Sequence, residues 1–147
     1  MITVICGLPA AGKSTYAQAE RARTGGYIVD MDEIVACMHG TVCHARNESI
    51  PLKLLSQTAW MIARQLNQTG THVYLIRTSL SYDEMRIAKD CVRVLVDTPP
   101  DVCRQRMEQR ADYSLPNFLD AAQKYKAFKA QFGHLFRTVD ADTGAKS

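Results

Sequence analysis

Gly7-Leu8-Pro9-Ala10-Ala11-Gly12-Lys13-Ser14-Thr15 is the stretch on which the reading of this chain turns. Glycine, four residues, then Gly-Lys-Ser is the spacing of a phosphate-cradling P-loop. Ile2 to Cys6 come before it, an apolar, partly β-branched run that predicts a buried strand. Ser14 to Arg23 follow as a predicted helix, with Ala17, Ala19 and Ala22 as strong formers and Gly25-Gly26 as the stop. In that order, strand, loop and helix let the N–H groups of residues 10 to 15 converge on one concavity, reinforced by the positive end of the helix dipole. Gly7, Pro9, Ala10, Ala11, Gly12, Lys13, Ser14 and Thr15 are therefore the expected nucleotide-binding residues. Lys13 would reach the β- and γ-phosphates of ATP, and the Ser14 hydroxyl would hold Mg²⁺. The alternative, a glycine-rich turn with a chance Lys-Ser, leaves the two flanking elements unexplained.

Length and composition narrow the class. A chain of 147 residues, 46% hydrophobic and 22% charged, is sized for one domain, which we place over residues 1–140 with Ala141 to Ser147 as a disordered tail. No apolar run approaches the ~18 residues of a membrane span. Met1 leads straight into a strand without a basic region or cleavable apolar segment, so the expected location is cytoplasmic. The five cysteines are odd in number and scattered, which argues against a disulfide framework. Cys37, His39, Cys43 and His44 crowd together, but their spacing matches no usual zinc pattern and reads as a helix-to-loop passage. A net charge of +3 is compatible with a phosphorylated or nucleic-acid partner without demanding one.

Along the chain, strands and helices alternate. Tyr27-Ile28-Val29 is a short strand, and Asp30 or Met31 starts a helix to about Met38, ended by Gly40. Thr41 to Ile50 read as a polar loop, after which Pro51 opens a long helix to Asn67. Thr71 to Ile76 make the third strand, and Ser81 with Glu84 a capping box for a helix to about Lys89. Val92 to Val96 are the fourth strand, Thr98-Pro99-Pro100 opens a helix to about Arg110, and Pro116 begins another that Gly133 ends. Leu135 to Val139 give a last short strand. Such alternation predicts an α/β three-layer sandwich of the P-loop NTPase type, its mostly parallel sheet covered by helices on both faces, with a short helical lid. Ligands then bind beyond the carboxyl ends of the strands, where the P-loop, Asp30 to Asp32 and Arg77 to Ser79 all lie.

Phosphoryl transfer needs an oriented acceptor oxygen and cations on the migrating charge as well as a phosphate cradle. Asp32 is the candidate to take the acceptor proton, and Asp30 to assist Mg²⁺; the alternative for both is that they cap the following helix. Arg106 and Arg110 fall on the arc of Val102, Cys103 and Met107, whereas Arg104 and Glu108 face away, which suits a lid closing on the γ-phosphate. Trp60, Tyr82 and Tyr113 read as core aromatics before they read as base-stacking surfaces, and Lys124, Lys126 and Lys129 as a wet helix face.

With these parts placed, residues 1 to 135 resemble the P-loop kinase domain of phage polynucleotide 5′-hydroxyl kinases. Ile28-Val29-Asp30-Met31-Asp32-Glu33 is similar to that family's strand ending in the general-base aspartate, which in register is Asp32. Arg106 and Arg110 match its lid arginines, and Thr78 matches a threonine after its third strand. The Asp-x-Asp arrangement is also similar to that of shikimate-kinase-like enzymes, and zeta-toxin kinases share the layout. Ala10 and Ala11 stand where the family has Gly-Ser, an exchange that a negative φ at Ala10 would accommodate. Val35 stands for an arginine on the acceptor side, and Arg77 for an acid. The resemblance implies an ATP–Mg²⁺-dependent kinase acting on a polynucleotide 5′-hydroxyl or nucleoside-like group, with Asp32, Arg77 and Thr78 on the acceptor side. A small-molecule or modified-base kinase, in which Arg77 binds an anionic group, is the alternative. A nucleotide-binding switch is a further one, against which the lack of a downstream Asp-x-x-Gly counts. Oligomeric state has no signature in the sequence.

Overall fold

β1 (Ile2–Cys6) is the middle strand of a five-stranded parallel sheet in a computed structural model that describes residues 1–39, 51–111 and 113–140. Val4, Ile5 and Cys6 are all completely buried, and since successive strand residues face opposite ways, both faces of β1 are covered. The sheet order is β2-β3-β1-β4-β5, with β2 at Tyr27–Asp30, β3 at Val73–Arg77, β4 at Val92–Val96 and β5 at Arg137–Val139. From β1 the chain steps to β2 on one side, and from β3 it crosses back over β1 to β4 on the other, so the loop after β1 sits at the switch point of the sheet.

Helices α1 (Lys13–Thr24), α2 (Met31–His39), α3 (Leu52–Gln68), α4 (Tyr82–Ile87), α5 (Pro100–Glu108) and α6 (Leu115–Phe132) connect the strands. The α/β three-layer architecture expected from the sequence is the one observed. Among the described residues, no helix is long and apolar enough to cross a membrane. The expected stop at Gly40, the loop from Thr41 to Ile50, Cys43, His44, Asp112 and the tail from Ala141 lie outside the described residues.

Among the boundaries that differ from expectation, four have a local reason. β3 begins at Val73 because Val73 pairs with Ile2 of β1, while the carbonyl of His72 is spent on the Tyr27 N–H at 3.0 Å. It runs on to Arg77, opposite Cys6, so Arg77 is a strand residue and not a loop residue. Helix α4 keeps its Ser81–Glu84 capping box but tightens at Ile87 into a 3₁₀ turn over Ala88–Asp90. Helix α5 stops at Glu108, one turn closing behind it as the Arg110 N–H bonds to the Met107 carbonyl at 2.9 Å.

Candidate functional site

The loop from Gly7 to Gly12 is held from three sides. A Cβ at Gly7 would lie 2.7 Å from the Val96 carbonyl oxygen, so only glycine lets β1 end this close to β4. The Gly7 N–H donates to the Thr78 carbonyl at 3.3 Å, which ties the loop to the end of β3. Thr98 Oγ1, buried, donates to the Ala11 carbonyl at 2.6 Å. Gly12 then turns the chain into α1 at φ +101° without any side-chain cap. The first N–H groups of α1 have no partner inside the helix, and Gly12 offers them no side-chain cap. Ala11 is the exception within the ring, its N–H turned inward to the Leu8 carbonyl at 3.1 Å.

Ala10 departs from the condition set for it. Its φ is +64°, the left-handed region, where an L side chain costs about 1–2 kcal/mol. Glycine would remove that strain, and its greater freedom in the unfolded chain would return about 0.4–1 kcal/mol of the gain. Ala10→Gly should therefore raise stability by a net of about 0.5 kcal/mol, read from urea unfolding. A loss of stability instead would mean that the loop relaxes out of this conformation.

Lys13 is half-buried and its Nζ donates to the Gly7 carbonyl at 2.6 Å, lying along the inside of the loop. Burial pulls its ammonium below the ordinary lysine range, while the carboxylates of Asp32 and then Asp30 pull it back. Ser14 and Thr15 are exposed at the head of α1. At the end of β2, Asp30 Oδ1 accepts the Asp32 N–H at 3.0 Å, so Asp30 does cap the start of α2. Burial, and next the neighbouring Asp32 charge, raise the Asp30 carboxyl above the usual carboxylate range.

Lys13, Asp30, Asp32, Arg77 and Thr78 line one cleft, open to solvent, beyond the carboxyl ends of β1, β2 and β3. This is the place the topology reserves for a ligand. Among the described residues, no three His, Cys, Asp or Glu side chains gather as a metal cage. One exposed hydroxyl at Ser14 and a partly screened carboxylate at Asp30 are a donor set that suits Mg²⁺, which keeps water and substrate phosphates as most of its ligands. Cys6, directly behind the loop, is no thiol nucleophile: burial pushes its thiol up to about 12.

Arg77 lines the cleft but is committed elsewhere. Its guanidinium forks onto Glu84, Nη1 to Oε2 and Nη2 to Oε1 at 3.1 Å, and Nη1 also donates to Ser56 Oγ at 3.2 Å. Trp60 Nε1 donates to the same Glu84 carboxylate at 2.9 Å, which takes Trp60 out of the set of stacking surfaces. All three side chains are buried, so Glu84 and Trp60 hold Arg77 rigidly in the cleft wall from behind. Glu84→Ala leaves the buried Arg77 charge with only Ser56 Oγ as a partner and the indole N–H without its acceptor, and should cost about 3–5 kcal/mol in unfolding free energy. The apolar pair Arg77→Met with Glu84→Leu should lose far less, because nothing charged is stranded.

The two arginines expected to act together differ in setting. Arg106 is half-buried and its Nη1 donates to the Ala10 carbonyl at 3.1 Å, directly on the loop. Arg110 lies past the end of α5 and is exposed. Arg104 and Glu108 pair at 3.1 Å on the solvent side, as their position on the helix implied. Tyr113 packs against the core and Tyr82 is largely exposed.

What sequence reasoning missed is the far wall of the cleft, made by Leu52 of α3 and by Asp120, Ala121 and Lys124 of α6. Polar residues on a predicted amphipathic helix carry no signal that separates a cleft wall from a wet face.

The comparisons with known proteins follow the same geometry. A search of curated proteins gave no match. Among solved structures, the chain is similar to shikimate kinase from Bacteroides thetaiotaomicron, with a TM-score of 0.70 at 14% identity over 99% of this chain and 94% of that one. It is also similar to shikimate kinase from Aquifex aeolicus (TM-score 0.66, 15% identity, 99% and 92% covered). A sugar kinase from Janibacter sp. gives a TM-score of 0.63 at 18% identity, with 99% and 90% covered. At such identities the likeness shows the fold, which is that of P-loop kinases. Residues 2–135 match the family described as an AAA domain, and the chain belongs to that family.

Proposed function

We propose that this chain is an ATP–Mg²⁺-dependent kinase that moves a γ-phosphoryl group onto the hydroxyl of a nucleoside-like acceptor. The observation that carries the reading is the cleft shared by Lys13, Asp30 and Asp32 at an uncapped helix start. Ser14 and Asp30 would hold Mg²⁺, whose charge would offset that of the phosphate oxygens. Lys13 leaves the Gly7 carbonyl to follow the β- and γ-phosphates. Asp32 orients the acceptor hydroxyl and takes its proton as the acceptor oxygen bonds to the γ-phosphorus. The bond from that phosphorus to the β,γ-bridging oxygen breaks, and ADP leaves. Arg106, already at the loop, stabilises charge on the transferring group, with Arg110 as the second cation of that role.

A polynucleotide 5′-hydroxyl is the second reading of the acceptor, supported by the resemblance of Asp32, Thr78 and Arg106 to the polynucleotide kinase pattern. Arg77 is a poor anion receptor in either case while Glu84 holds both of its Nη atoms. The deciding experiment is transfer from labelled ATP to oligonucleotides, nucleosides and sugars by wild type and by Lys13→Ala. Label on one acceptor class, lost in the variant, supports the kinase. Slow ATP hydrolysis with no labelled acceptor, accompanied by a change of shape between ATP and ADP, would replace it with a nucleotide switch.

A further inference from the structure

Helix α6 uses its lysines in three different ways. Lys129 is bound to Asp97, beside Tyr125, whose hydroxyl donates to the same carboxylate at 3.0 Å. Lys126 stands exposed on the solvent side. Lys124 instead lines the cleft, with Asp120 one turn before it and Ala121 between, and Lys124 Nζ meets Asp120 Oδ2 at 3.1 Å. Phe118, Tyr125 and Phe128 anchor the adjoining face of the helix in the core, so the cleft stripe is held in place by packing.

The other charges of the cleft are already assigned. Lys13 belongs to the phosphates, Asp30 and Asp32 to metal and acceptor hydroxyl, and Arg77 is neutralised by Glu84. That leaves Asp120 and Lys124 as the charged groups at the mouth with no other duty. They cancel each other, next to the apolar surface of Leu52, Met31 and Ala121. We propose that Asp120 and Lys124 are the acceptor-selecting rim of this site, admitting a small uncharged hydroxyl compound and turning away a phosphodiester strand. The proposal rests on the kinase reading above. An exposed Asp–Lys pair opens cheaply, so a ring hydroxyl can insert, donating to Asp120 and accepting from Lys124. A backbone phosphate arriving at the same place meets the Asp120 carboxylate beside the cation, so its attraction to Lys124 is offset by repulsion from Asp120.

The test compares wild type, Asp120→Asn, Lys124→Ala and the solvent-side control Lys126→Ala with thymidine, glucose and a short 5′-hydroxyl oligothymidylate as probes. Wild type should favour thymidine or glucose over the oligonucleotide in kcat/KM. Asp120→Asn should narrow that preference about tenfold, through acceptor KM more than kcat, with ATP KM unmoved. Lys124→Ala should raise KM for the small acceptor, and Lys126→Ala should match wild type. All three positions are exposed, and unchanged thermal unfolding confirms that the variants fold. A wild-type preference for the oligonucleotide, or the same preference in Asp120→Asn as in wild type, overturns the rim while leaving the kinase standing. No transfer to any probe, with ATP consumed by hydrolysis alone, removes the rim and the kinase together.

Discussion

Lys13→Ala should lower kcat/KM for phosphoryl transfer by about 10³-fold or more while leaving the protein folded. The kinetic loss follows from position. Lys13 is the cation of the loop itself, and a preorganised positive group aimed at a migrating phosphoryl is worth about 10³–10⁵ in rate. The folding argument is separate. The bond that Lys13 Nζ makes is to the Gly7 carbonyl, an acceptor at the edge of an open cleft that water can serve instead. Alanine is also the best helix former for the first position of α1, and burial of the lysine ammonium is a cost that the variant removes. Thermal unfolding of Lys13→Ala within a degree or two of wild type, together with lost transfer, is the expected pair of results. Transfer that survives would mean that the loop does not hold the donor.

How far the sequence revealed this site depends on the distance over which each feature is decided. The loop was legible because Gly7, Gly12, Lys13 and Ser14 declare themselves within one short motif, between an apolar run and a helix. The Ser81–Glu84 capping box was legible for the same reason. The same Glu84 also carries the ion pair with Arg77 and the bond to Trp60, and those contacts arise only when α3, β3 and α4 assemble. Arg77 could thus be read as a free cation at the end of a strand, while its fold gives it a buried partner. The helical spacing that puts Arg110 on the face of Arg106 assumes a helix to about Arg110, whereas α5 ends at Glu108. The conformation of Ala10 left no trace at all, since sequence does not report φ. Asp120 and Lys124 escaped because a helix face has meaning only relative to what it crosses.

Asp32→Asn should lower kcat by about 10²–10⁴-fold and change ATP KM by less than about threefold. The substitution is nearly isosteric, and the backbone N–H of residue 32 keeps its bond to Asp30 Oδ1, so the start of α2 survives it. What the variant loses is a carboxylate able to accept a proton from the acceptor hydroxyl. The main competitor for that role is Asp30, lining the same cleft, and electrostatics separates the two. The Asp32 charge is the second cause, after burial, that holds the Asp30 carboxyl up. Removing it must let Asp30 ionise at lower pH, so a rate limb set by Asp30 shifts toward acid in Asp32→Asn. The Asp32 charge also supports the protonated Lys13 against burial, so in the variant Lys13 loses its proton at lower pH and an alkaline limb moves down as well. With Asp32 as base, the residual activity is small at every pH. With Asp30 as base, activity stays near wild type and the whole profile slides toward acid, and that outcome would move the proton-accepting role to Asp30.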